Sequence, residues 1–158
     1  MTLLIFVLGD REYAVRAELV REVVRAVAVS ALPTAPEVIE GVVNWRGQIV
    51  PVLDIRTRFR LPARPLHPDQ HFIIADAGAR TVALRVDHAA DLIEVSEDAV
   101  ESAQRAAPGA GETEGIARLP DGLVVIHDLE GFLSLDDGER VDAAVVTSAE
   151  YLSRGGRS

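Results

Sequence analysis

Apolar residues in this chain gather in short runs broken by Gly, Pro and Asp, a rhythm that predicts strands more often than helices. Leu3 to Leu8 is one such run, closed by Gly9-Asp10-Arg11, so strand, turn and a second strand over Glu12 to Arg16 are expected. Leu19 to Val29 fits two periods. Leu19, Val20, Val23, Val24 and Val27 match a helix, but five valines favour a pleated surface. The reading is a short helix or turn near Ala17–Leu19, then a strand that Pro33 and Pro36 end. Gly41 to Trp45, the turn Arg46-Gly47 and the return Gln48 to Leu53 form a hairpin. Pro51 inside the return places that strand at an edge or a bulge. Asp54 then caps a helical turn through Phe59.

Pro62, Pro65 and Pro68 break the chain, and strands resume at His71–Ala75 and Thr81–Val86 around the turn Asp76 to Ala79. Asp91 to Val95 is a further strand. Ala103 to Thr113, rich in Ala, Gly and Pro, reads as a surface loop. Gly115–Leu119 and Leu123–Ile126 flank Pro120-Asp121-Gly122 as another hairpin, and Asp128 caps Leu129–Leu133. Val141–Val146 and Ala149–Leu152 suggest a strand and a short helix before a frayed end.

The two halves resemble each other. Ala14-Val15-Arg16-Ala17-Glu18 aligns with Ala83-Leu84-Arg85-Val86-Asp87, and Glu22-Val23-Val24 with Asp91-Leu92-Ile93. Gly41 to Asp54 and Gly115 to Asp128 span the same thirteen steps, followed by Phe59 and Phe132. The expectation is one domain over 1–158 with an approximate repeat, 1–66 and 70–135, and a tail from 136 to 158. Each half alone would be marginal, since a unit of about 60 residues buries only roughly 60% of its unfolded surface. Two small closed β units packed together, with a groove at the seam, resolve that deficit.

Composition narrows the chemistry. The 158 residues contain no cysteine, which excludes disulfides, thiol nucleophiles and cysteine zinc sites. All 16 basic residues are Arg, so lysine-dependent phosphate loops and Schiff bases are absent. A net charge of −9 argues against a nucleic-acid partner. No apolar stretch is long enough for a membrane helix, and the N-terminal run lacks a basic lead, so a cytoplasmic protein is expected. His67 and His71 stand four apart, but Pro65 and Pro68 make them linker histidines rather than a metal pair. His127 is explained by packing or capping. Gly109-Ala110-Gly111 lacks the residues of a phosphate cradle, and the acidic runs Glu94–Glu101 and Asp136–Glu139 read as solvated faces. No catalytic residue, metal site or cofactor is expected.

One stretch needs explaining, Asn44-Trp45-Arg46-Gly47. Gly47 serves the turn, but the turn requires neither the single Trp nor the Arg beside it. Two readings stand level here: a core Trp with a solvated Arg, or a partner-binding pair, since both types are enriched among interface anchors.

Gly41 to Arg56, read with Val82–Asp87, Leu92–Val95 and Gly115–Leu119, resembles the signature of the CheW family over roughly residues 3 to 135. The resemblance implies a mainly all-β fold, two small five-stranded β-barrels packed around a shared core with a few short helices. It implies a non-enzymatic adaptor, a monomer when free, coupling chemoreceptors to the histidine kinase CheA in membrane-attached or cytoplasmic arrays; the alternatives are the same scaffold in a gliding, twitching or developmental system, or a β-barrel nucleic-acid-binding module. The implied partners are the regulatory domain of CheA and the helical hairpin tip of the receptor, the latter lying in the groove between barrels. It carries a partner-binding role to Arg46 and to Glu22 with Val20 and Val23, and intolerance of bulk to Gly41. Trp45 departs from the family's usual Leu, and the tail after Asp136 matches nothing in the family.

Overall fold

The computed structural model describes residues 1–32, 35, 38–102 and 113–129. The chain runs through β1 (Thr2–Leu8), β2 (Arg11–Arg16), a 3-10 turn (Ala17–Leu19), β3 (Val20–Arg25), β4 (Ile39–Trp45), β5 (Gln48–Leu53) and α1 (Ile55–Arg58). It continues through β6 (His71–Ala77), β7 (Arg80–Val86), β8 (His88–Glu94), a second 3-10 turn (Glu97–Ala99), β9 (Val100–Ser102), β10 (Thr113–Leu119) and β11 (Gly122–His127). The ambiguous valine segment thus resolves as a turn followed by a strand. Asp54 caps α1 as its position suggests, its side chain accepting from the Arg56 amide at 3.1 Å. Among the described residues no helix is long and apolar enough to cross a membrane.

Two sheets form, with strand orders β8-β1-β2-β11-β10-β9 and β3-β6-β7-β5-β4. Each is centred on an antiparallel hairpin, β1–β2 or β6–β7, whose second strand meets a parallel neighbour, β11 or β5. Each sheet mixes strands from both halves of the chain. The hairpin β1–β2 lies among strands of the second half, and β6–β7 among strands of the first. The segments aligned in sequence occupy corresponding places in the two ladders.

The expected closed five-stranded barrels are corrected on two counts. One sheet has six strands, and neither ladder closes on itself among the described residues. In the five-stranded sheet β3 ends at Arg25, and only Ser30 reaches β4, in an isolated bridge to Val42. In the other sheet the short β9, not foreseen because it lies in an acidic run, occupies the matching place beside β10.

Burial explains why the strands are apolar runs rather than alternations. In β1, Leu3 and Ile5 face a core inside their own sheet, with Ala14, Ala117 and Ile126. Leu4, Phe6 and Leu8 face the other way, against Ile73, Leu84 and Val86 of the second sheet. The second sheet has its own inner core of Val43, Val50, Val52, Phe72, Ile74 and Ala83. A strand buried on both faces cannot alternate with polar residues.

The edge reading of Pro51 is corrected, because β5 is internal, between β4 and β7, while the ladder does bulge beside it, its register shifting between Ile39 and Gly41 opposite Leu53 and Val52. The proline is tolerated because its partner Val42 spends its amide and carbonyl on Ser30, so the Val42–Pro51 pair exchanges no hydrogen bonds. The β7 ladder begins only at Val52, so no partner awaits the missing Pro51 N–H. His71 is a β6 residue rather than a linker residue, its ring 5.0 Å from that of His88. His67 does lie exposed in the linker. The expectations for Pro33, Pro36, the loop 103–112, Leu129–Leu133 beyond residue 129, Phe132 and the tail 136–158 fall outside the described residues.

Candidate partner-binding site

The β4–β5 hairpin turns on two residues, Arg46 with φ 52 and Gly47 with φ 81. Two successive positive φ values match the twist of the flanking strands, and Gly accepts this without strain. Arg46 has a Cβ and does not. Asn44 compensates, its Oδ1 accepting the Gly47 amide at 2.9 Å. The turn therefore holds a strained, exposed Arg side chain at the tip of the sheet, its relative exposure 71%.

Glu22 meets this tip from β3. Its Oε1 accepts from Trp45 Nε1 at 2.8 Å, and its Oε2 accepts from Arg46 Nη2 at 3.0 Å. Those two hydrogen bonds, Trp45 first, hold the Glu22 carboxyl below the usual range. The Trp45 ring packs against the inner core of the five-stranded sheet, as Val24, Val29 and Leu66 each do. Two guanidinium groups lie near its faces, Arg46 at 5.4 Å and Arg21 at 5.9 Å from the ring centre. Arg21 also pairs with Asp76 at 2.9 Å. β3 and β4 are the two ends of this ladder, so the cluster bridges the gap that backbone pairing leaves open.

Of the residues singled out in sequence, Glu22, Trp45 and Arg46 form one contact cluster, and Asn44 and Gly47 build the turn that presents it. Val23 is exposed on β3 near by. Val20 faces away, packed against the core shared by the two sheets. Gly41 stands apart: a Cβ there would lie 2.1 Å from the Ser30 carbonyl oxygen, so its role is steric. Arg21 was missed, since only the meeting of the two ends of the ladder brings it over Trp45. A cleft of about 490 Å³ opens elsewhere, lined by Met1, Thr2, Arg16, Ala17, Glu18 and Glu97, and none of the singled-out residues lines it.

Among the described residues there is no group of three or more His, Cys, Asp or Glu placed to hold a metal. The arrangement defines an all-β module of two packed sheets that displays an Arg–Trp–Glu cluster on an exposed turn. The CheW-like domain family model matches residues 2–137. The chain belongs to that family. It is 30% identical over 142 residues to the chemotaxis protein CheW of Klebsiella aerogenes, covering 88% of this chain and 85% of that one. It is 25% identical over 132 residues to the chemotaxis protein CheW of Helicobacter pylori, covering 83% and 80%. The crystal structure of the scaffolding protein TtCheW from Thermoanaerobacter tengcongensis superposes with a TM-score of 0.77 at 29% identity, covering 86% of this chain and 94% of that one.

Proposed function

We propose that this chain is a non-catalytic adaptor of chemosensory signalling, joining chemoreceptors to a CheA-type histidine kinase in arrays at the membrane. The observation that carries the reading is the Glu22–Trp45–Arg46 cluster. It spends a strained turn and the single Trp on displaying an Arg that the fold does not bury. An adaptor needs surfaces that hold two partners and chemistry that does nothing to either. Arg46 offers a fork matched to carboxylates, and Glu22 beside it penalises a wrongly placed acidic group. Val23, 38% exposed, adds apolar contact for a helix laid along β3. Membership of the CheW-like family, whose relatives include chemotaxis and scaffolding proteins, supports the same role.

Calorimetric titration with the regulatory domain of the CheA encoded nearest to this gene tests the reading. One-to-one binding is expected, weakened in Arg46→Glu while the melting curve stays that of the wild type. Equal affinity of wild type and variant would remove Arg46 from the interface. Absence of binding to both the kinase domain and a receptor hairpin would end the adaptor reading.

A further inference from the structure

The carboxylate of Glu22 has two donors of opposite character. Trp45 Nε1 belongs to a ring packed against the inner core of the five-stranded sheet, and it is an uncharged donor on a side chain held by that packing. Arg46 Nη2 belongs to a side chain 71% exposed, at the end of a flexible stem on a turn. One donor is fixed and the other is free to move. They also bind different oxygens, so losing either leaves the other intact.

From this we infer that Trp45 is the positioning residue of the site: it holds Glu22 in place by itself and so releases Arg46 to leave Glu22 for a carboxylate on the partner. The Glu22 side chain is 30% exposed, so water can take the place of Arg46 on Oε2. Here the indole N–H stays behind on Oε1, and Arg21, paired with Asp76, also lies over the ring. The ring also contacts Arg46, whose guanidinium carbon lies 5.4 Å from the ring centre. Trp45 thus converts a structural ion pair into an exchangeable one, and the partner feature it selects for is an exposed Asp or Glu set beside an apolar helix face.

The inference rests on the adaptor reading for one arm of its test and not for the other. The first arm follows the Glu22 carboxyl by NMR in the free protein. Trp45→Phe keeps an aromatic ring against the core and removes the N–H together with part of the indole's area, a packing loss that the Glu22→Ala background carries equally. Its Glu22 midpoint should rise towards the ordinary carboxylate value, and an unchanged midpoint would overturn the inference. The second arm titrates the kinase regulatory domain, or a receptor hairpin, into wild type, Trp45→Phe, Glu22→Ala and the double variant. Trp45→Phe should weaken binding by about threefold to tenfold, the size of one net hydrogen bond. In the Glu22→Ala background the same change should cost no more than that packing loss, because the N–H then has no carboxylate to hold. An equal loss in both backgrounds would make Trp45 a direct contact and refute the positioning role. If wild type binds neither partner, the adaptor reading fails, and the Glu22 midpoint alone decides for or against Trp45.

Discussion

Gly41 and Gly47 stand in one hairpin but resist substitution for different reasons. A Cβ at Gly41 meets Ser30 backbone at 2.1 Å and Val29 Cγ1 at 2.7 Å, atoms held by the Ser30–Val42 bridge. Gly41→Ala should therefore cost at least the upper end of the roughly 1–3 kcal/mol typical of overpacking, read by urea denaturation. At Gly47 nothing lies within 4 Å, and only the φ of +81 objects. Gly47→Ala should cost about 1 kcal/mol, the ordinary penalty of a left-handed residue. Gly115, whose Cβ would lie 2.9 Å from the Glu101 carbonyl oxygen, should fall between them. The sequence marked Gly41, Trp45 and Arg46, and the turn chemistry of Gly47 was legible in it. The bond from Trp45 to Glu22 was not, because β3 and β4 are far ends of one ladder and meet only where the sheet curls. No local pattern encodes that approach.

Strands and turns were largely legible at the scale of the element, because Gly and Pro punctuate the apolar runs at most boundaries, though not between β2 and β3, β7 and β8 or β8 and β9. What the pattern withheld was the pairing. An apolar run such as Leu3–Leu8 says that both faces are buried but not against which strand, so closed halves were inferred where strands are exchanged. The linker after α1 illustrates the missing information. It reads as a proline-rich break, yet its polar residues converge on Asp87 at the end of β7. Asp87 accepts from the Arg56 guanidinium, from Arg64 at 2.7 Å, from Gln70 at 3.1 Å and from the Gly9 amide at 2.6 Å. Burial pushes the Asp87 carboxyl up, but bonds from Arg56, Gly9, Gln70 and Arg64 outweigh it and hold the group well below the carboxylate range. A depressed acid stabilises the fold above its unfolded value and loses that contribution as pH falls towards its folded one. Asp87→Asn should thus cost about 3 kcal/mol at pH 7, as for a broken buried ion pair. The gap between wild type and variant should narrow below about pH 4, checked by denaturant unfolding across that range.

The whole molecule carries a second pH response of the same sign, in a higher pH window. His127 is 1% exposed, its ring edge-on to Phe59 at 5.2 Å, and burial holds its pKa down at about 4. His71 is shifted downward too, by burial first and then by His88 and Arg25. For a depressed imidazole the unfolded chain binds the proton first, so stability is complete above about pH 6.5 and falls as pH drops from there towards the folded value. The loss by pH 4 from His127 should be on the order of 3 kcal/mol, seen as a falling melting temperature while the Asp87 contribution is still intact. The exchange of hairpins has a consequence for how the chain reaches this state. Tyr13 pairs with Val125 and Ala14 with Ile126, so the first hairpin waits for almost the last strand before its sheet is complete. Such distant pairings slow folding. They also mean that neither half contains a whole sheet, so a chain cut in the exposed linker near Ala63 should yield two fragments that are each unfolded alone and assemble into the native protein when mixed.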